Sequence, residues 1–321
     1  MEPLNLEALE TTAEIVHRVI APTPQYPWPL LSSRAGCTVW LKHENAAPTG
    51  SFKVRGGLVH LERLKRARPG LKGVVAATRG NHGQSIAFAA ARLGLEAKIV
   101  APHGNSRDKN RAMRALGATL IEHGHDFEAA LEEAKRLAGG ADVAFVPSFH
   151  PDLVAGVASY ALEFFRAAPA LDAIYVPIGL GSGICGVMAA RDALGLKTEV
   201  IGVVSEGAPC YALSFARGEP VSTNRSDTIA DGIATRVPAP EALAMMRRGA
   251  SRIVTVSDDA ILEAIGVLFS DTHHVAEGAA AAPLAALLQE RGLMANKAVG
   301  LIVSGGNIDR DLYRRALDTI G

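Results

Sequence analysis

From about position 73 onward, apolar residues fall in short continuous runs, each bounded by turn formers and followed by a stretch where they recur at helical spacing. Four runs come first: GVVAAT (73–78), AKIVAP (97–102), ATLIEHG (118–124) and VAFVPS (143–148). A helical stretch from Val154 to Phe165 precedes a second series: AIYVPI (173–178), EVIGVV (199–204), RIVTV (252–256) and AVGLIVS (298–304). Runs without polar alternation suit strands covered on both faces, and strands alternating with helices predict βαβ units and parallel sheets. Between the first two runs, Ile86, Ala89, Ala90 and Leu93 mark a helix over Ser85 to Leu93, with Gly94 placed as its left-handed cap. The segment Pro22 to Pro29 predicts an extended crossing. With no repeat and no low-complexity linker, two lobes packed closely together are expected.

Composition narrows the partners. The 321 residues are 48% hydrophobic, and Lys+Arg 33 balances Asp+Glu 33. Such a chain can bury a large core, and without a basic run it offers no attraction for nucleic acid or an anionic membrane. A small-molecule partner is expected. Glu2, Glu7, Glu10 and Glu14 interrupt the N-terminal apolar residues, which suits neither a signal peptide nor a spanning helix and implies a cytoplasmic location. Cys37, Cys185 and Cys210 are far apart and form no metal or redox pair, so they read as packed thiols.

Four turn-rich segments carry the candidate chemistry. In KHENAAPTGSFKVRGG (42–57), a Pro-Thr-Gly-Ser turn delivers Phe52 and Lys53 into a helix start, where a lysine can be fixed instead of trailing into solvent. TRGNHGQ (78–84) lies between a strand and a helix, where backbone N–H groups face the crevice beyond a strand's carboxyl end and favour a carboxylate. Taken alone, Asn81 there fits a plain helix N-cap. GLGSGICG (179–186) also follows a strand and opens a helix, so its amides can approach a phosphate. Gly181, Gly183 and Gly186 satisfy G-x-G-x-x-G, and Glu206 ends the next strand, so a dinucleotide-dependent oxidoreductase fits this loop equally well. Neither Lys53 nor Asn81 has a part in that alternative. Ser304 opens SGGNID (304–309), a segment that by itself reads as a turn after a strand.

Together these segments resemble the serine/threonine dehydratase family of fold-type-II pyridoxal-phosphate enzymes, related to the tryptophan synthase β-chain, and the resemblance runs through nearly the whole chain. It implies an α/β fold of two lobes, each a mostly parallel sheet flanked by helices: residues 1–48 and 149–321 would form the larger, phosphate-binding lobe, and 49–148 the smaller. It implies pyridoxal 5'-phosphate held by Lys53, the covalent anchor and proton shuttle, with Phe52, Asn81, Gly179, Leu180, Gly181, Ser182, Gly183 and Ser304 around it. Asn81 would face the 3'-oxygen and Ser304 the pyridine nitrogen, where a hydroxyl favours elimination over transamination. Ser51, Thr78, Arg79, Gly80, His82 and Gln84 would surround the substrate carboxylate. The expected activity is a lyase reaction, loss of water from a β-hydroxy amino acid to give a 2-keto acid and ammonia. A homodimer is expected on the same ground.

The chain departs from the family pattern in several places. Arg79 stands where members usually carry the serine that racemases use as an acid/base, and an arginine, always protonated, cannot take up an α-proton. That disfavours the racemase alternative. Leu180 and Ser182 interrupt a run usually made of four glycines. In GVVSEGAPCY (202–211), Val204 and Cys210 occupy the positions of the family's metal-binding carboxylates, so no metal is expected there, Glu206 being the one candidate for a shifted site. The His123/His125 and His273/His274 pairs read as solvated or packed. Ala46 and Ala47 replace a bulkier pair, which suggests a modified substrate pocket. Glu277 resembles a glutamate near the cofactor ring, though a cap on the following Ala-rich helix would explain it nearly as well.

Overall fold

A computed structural model of the chain describes residues 4–320 and arranges its strands in two sheets. The larger sheet runs β1 (Gln25–Pro27), β2 (Thr38–His43), β10 (Ala298–Val303), β7 (Ala173–Pro177), β8 (Glu199–Ser205), β9 (Arg252–Val256). Its pairs are parallel except β1 with β2. The smaller runs β5 (Thr119–Glu122), β4 (Glu96–Ala101), β3 (Gly73–Ala77), β6 (Val143–Phe145) and is parallel throughout. The expected α/β architecture is therefore present.

Every expected run forms a strand, six of the eight ending one to three residues early. The clipped residues leave the sheet for a purpose: Thr78, Ser148 and Ser304 turn away and line one cavity. Alternation within a strand divides the core. In β7, Ala173 and Tyr175 join one apolar cluster and Ile174 and Val176 the other, while Val74 and Ala76 of β3 oppose Val75 and Ala77 in the same way. Each sheet is thus covered on both faces, as continuous apolar runs require.

Two expectations are corrected. The segment Pro22 to Pro29 is not one extended crossing. Its middle forms β1 on the sheet edge, where a proline costs no ladder bond, and Pro29 opens the helix Pro29–Ala35. Asn81 is not an N-cap: the helix Asn81–Arg92 starts four residues before Ser85, Gly80 caps it at φ 154, and no side-chain cap bond forms. The side chain of Asn81 is thereby free for another partner.

The helix carrying Lys53 (Lys53–Ala67) is seated by contacts that leave it little freedom. A Cβ on Gly156 would come within 2.6 Å of the Arg55 carbonyl, and one on Gly56 within 2.9 Å of the Leu153 carbonyl, so glycines allow this helix to cross Pro151–Ala167 backbone to backbone. Ser85 Oγ donates to the Lys53 carbonyl at 2.7 Å, tying the first turn to the Asn81 helix. Arg55, two residues on, is completely buried and donates to Glu44 at 2.8 and 3.0 Å, to Glu163 at 2.6 and 3.0 Å and to Ser159 at 2.9 Å. Lys42 adds a 2.6 Å bond to Glu163. Two cations and two carboxylates thus neutralise one another inside the protein, the condition under which buried charge is tolerated.

Candidate active site

Residues just past the carboxyl ends of β3, β7 and β10 open onto one cavity of about 660 Å3. Such a crevice is the usual ligand position in parallel α/β sheets. Phe52, Lys53, Thr78, Arg79, Gly80, Asn81, His82, Gly179, Leu180, Gly181, Gly183 and Ser304, far apart in sequence, all line it. Ser182 lies behind that wall, where Lys53 Nζ donates to its Oγ at 3.2 Å. Ser51 and Gln84 do not line the cavity; both are buried, Ser51 beside Gly305. Glu206 is exposed and away from the cavity, so the acid that a dinucleotide reading needs is missing from the site.

The loop Gly179–Gly183 forms a cradle of free donors. Among the described residues, the amides from Gly179 to Ile184 reach no protein acceptor, the last three, Ser182 to Ile184, being unpaired N–H groups of the first turn of the helix Ser182–Ala193. Gly181 takes φ 100, and a Cβ there would sit 2.7 Å from Ala242, so the turn requires glycine. An anion placed there would receive several N–H bonds and the helix dipole.

Electrostatics set the state of the amine. Burial pulls the Lys53 pKa down to about 8, with the nearby Glu277 charge partly opposing it. Asn81 Nδ2 donates to Glu277 Oε1 at 2.5 Å, and Asn81 Oδ1 accepts from Asn307 at 2.8 Å. Lys109 Nζ stands 3.2 Å from Glu277 and 3.1 Å from Asp231, and this pair of carboxylates outweighs burial and raises its pKa. Glu277 occupies the N-cap position of its helix but makes no cap bond; its carboxylate serves the cavity instead. Burial, reinforced by Lys53, holds the His82 imidazole neutral by lowering its pKa to about 3.

Several residues here went unnoticed in the sequence. Lys109 and Asp231 lie in stretches without a motif, and Asn307 lies in the Ser304 segment but carried no assigned role; only folding brings them to the Gly80–Asn81 turn. Phe127, Leu131, Phe145 and Phe149 form an apolar wall of the same cavity. His60, His150 and Asp152 also cluster, but Arg63 already donates to Asp152 at 2.6 Å and His150 caps the helix at the Asp152 amide, so ordinary hydrogen bonding accounts for them. Cys37, Cys185 and Cys210 are buried free thiols.

Buried polar atoms without hydrogen-bond partners occur on the cavity lining at Arg79 Nε and His82 Nε2, and in the segments next to it at Thr49 Oγ1, Ser51 Oγ and Gln84 Nε2. An unmatched buried polar group costs about 1–3 kcal/mol, so the cluster implies a ligand that completes it. A buried lysine whose pKa is lowered to about 8, sharing one cavity with a cradle of free amides and with Ser304, fits an enzyme built for a phosphorylated aldehyde cofactor. The chain belongs to the family of pyridoxal-phosphate dependent enzymes, whose model matches residues 16–305. It is 35% identical over 316 residues to an L-threonine ammonia-lyase of Thermotoga maritima, covering 97% of this chain and 77% of that protein. It is 33% identical to the catabolic L-threonine dehydratase of Escherichia coli K12, covering 95% and 92%. The crystal structure of a pyridoxal 5'-phosphate-dependent aspartate racemase superposes with a TM-score of 0.89 at 29% identity, covering 96% and 97%. Both expectations, the family and its cofactor, are met.

Proposed function

We propose that this lyase removes water from a β-hydroxy amino acid of the threonine or serine type and releases a 2-keto acid and ammonia. The Lys53 amine, brought to about 8 and held beside the Gly179–Gly183 loop, carries the reading, and the named activities of the threonine ammonia-lyase and threonine dehydratase relatives support it. Pyridoxal 5'-phosphate, when bound, supplies the electron sink that makes the α-proton acidic and the β-hydroxyl expellable.

Each residue then has a task. Gly179, Leu180, Gly181, Ser182 and Gly183 hold the phosphate, Phe52 bears on the cofactor's side of the cavity, Asn81 addresses its ring oxygen, and Ser304 its ring nitrogen. Lys53 anchors the cofactor and moves the α-proton, for which an amine near neutrality is suited. Thr78 Oγ1 accepts from the Gly80 and Gly83 amides at 2.8 and 3.1 Å, shaping the turn so that the Asn81 and His82 amides remain free for the substrate carboxylate. Gly80, Gln84 and Ser51 support that seat. Residues 49–148 act as the smaller lobe, closing on 1–48 and 149–321. The reading includes a homodimer in the cytoplasm, and among the described residues no helix is long and apolar enough to cross a membrane.

Borohydride reduction of the yellow holoenzyme is expected to place a pyridoxyl group on Lys53, and Lys53→Ala to abolish keto-acid and ammonia release from threonine and serine. An adduct on another residue, or full activity in the variant, would overturn the proposal.

A further inference from the structure

We infer that Arg79 seats a negatively charged β-substituent, so that the preferred substrate is a β-hydroxy amino acid carrying a second carboxylate. The inference rests on the dehydratase reading for the reaction, but on separate observations for the substrate.

Cations around the cavity are otherwise accounted for. Lys109 is paired with Asp231 and Glu277, Arg236 with Asp126 and Glu128, Lys53 donates to Ser182, and Lys135 is exposed to solvent. Arg79 lines the cavity with no ion pair or hydrogen bond among the described residues, and its Nε is shielded from water without an acceptor. A guanidinium is always charged and presents a planar fork that matches a carboxylate. Leaving it unmatched in a partly desolvated wall is costly unless a ligand completes it.

The same turn offers a second anion seat. The Arg79, Asn81 and His82 amides have no acceptor among the described residues, and they open the helix Asn81–Arg92. His82 lines the cavity, is 7% exposed and has an unpartnered Nε2. The helix terminus suffices for the α-carboxylate. One turn therefore carries two sites for negative charge, and a monocarboxylic substrate fills only one. The cavity's 660 Å3 accommodates the longer side chain.

The chemistry balances for 3-hydroxyaspartate as the simplest member. The Cα–H and Cβ–O bonds break as a Cα=Cβ bond forms, the α-proton passes through Lys53 Nζ to the departing hydroxide, which leaves as water, the released enamine shifts a proton from nitrogen to Cβ, and hydrolysis of the resulting C=N bond takes up one water. The net products are a 2-oxo dicarboxylic acid and ammonia, with no oxidant required.

The test compares ammonia release by the holoenzyme from 3-hydroxyaspartate stereoisomers, threonine, serine and 3-phenylserine, for the native protein, Arg79→Ser and Arg79→Lys. One 3-hydroxyaspartate isomer is expected to have the highest kcat/KM. Arg79→Ser should lower that value roughly ten- to hundred-fold, mainly through KM, the range of a charge-assisted hydrogen bond, and by clearly more than it lowers the value for threonine. An equal loss on threonine would mean that Arg79 holds the α-carboxylate, and a preference for 3-phenylserine that the apolar wall selects; either overturns the inference. Titrating the bound cofactor's absorbance with L-aspartate and L-alanine separates the two proposals. If none of the panel is deaminated, the dehydratase reading fails. Weakening of aspartate but not alanine by Arg79→Ser still supports the acidic seat, and equal binding in both proteins rejects it.

Discussion

Asn81 and Glu277, 196 residues apart, meet through a 2.5 Å hydrogen bond from Asn81 Nδ2 to Glu277 Oε1 that crosses from the small-sheet side of the cavity to the large. Glu277 also faces Lys109, and Asn81 is held from behind by Asn307, whose Nδ2 also donates to the Thr49 carbonyl at 2.9 Å. The bond thus fixes the amide of Asn81 and places a carboxylate where it acts on the Lys53 amine. Positioning and electrostatic tuning are properties of one connected network.

That network has a measurable titration. With the amine at about 8, roughly a tenth of it is unprotonated at pH 7, about 300-fold more than for an ordinary lysine. The rate at which apoenzyme takes up pyridoxal phosphate should rise with pH, bend near 8 and then level. Glu277 favours the ammonium form, so Glu277→Gln should move the bend below 8; a bend that stays or moves upward would contradict the arrangement. The linkage has a definite sign. Because the folded amine holds its proton less tightly than the unfolded one, the penalty is present below pH 8, and apoenzyme stability should increase between 8 and 10.5.

Much of this was legible in the chain, for a physical reason. Strands buried on both faces, such as β3 and β7, announce themselves as unbroken apolar runs, and the Gly179 and Asn81 turns mark where such strands end. β2 was not legible because Lys42 and His43 interrupt its pattern; both are buried, Lys42 through ion pairing and His43 against His274, with ring centroids 4.3 Å apart and planes tilted by 36°. Lys109 and Asp231 carry no local signal either, since an ion pair spanning 122 positions exists only after both sheets are built. The free amides at Gly179–Ile184 are a property of backbone geometry, which the glycines suggested but could not specify.

Arg55 predicts the protein's acid response. Pairing with Arg55 and Lys42 overcomes burial and holds the Glu163 carboxyl down at about 2, against an ordinary 4.5. A depressed carboxyl contributes stability above its unfolded value and loses it as pH falls from 4.5 toward 2, so urea midpoints should drop across that window. Arg55→Met leaves Glu44 and Glu163 buried with Lys42 the one Lys or Arg still bonded to them, beside His17 on Glu163 and the Thr23 hydroxyl on Glu44. It should cost about 3–5 kcal/mol at pH 7 and flatten the acid limb. An unchanged midpoint in Arg55→Met would show that the buried quartet contributes nothing to stability.

Gly57 gives a test of how the Lys53 helix is seated. A Cβ on Gly57 would run into Ser85 Oγ, the same hydroxyl that donates to the Lys53 carbonyl. Gly57→Ala gains helix propensity, worth about 1 kcal/mol, but must push the Asn81 helix away or break that hydrogen bond, costing about 1–3 kcal/mol. The clash should win, with Tm falling and cofactor retention falling with it, because the displaced turn carries Lys53. Ser85→Ala alone removes one hydrogen bond, at about 1 kcal/mol. Combining the two removes the clashing oxygen, leaving the added methyl 3.1 Å from the Ser85 carbonyl, tight but within reach of a small shift. The double variant should therefore be more stable than the sum of the single losses requires. Strict additivity in a double-mutant cycle would mean that the helices adjust freely, and that the Gly57–Ser85 contact does not set the position of the lysine.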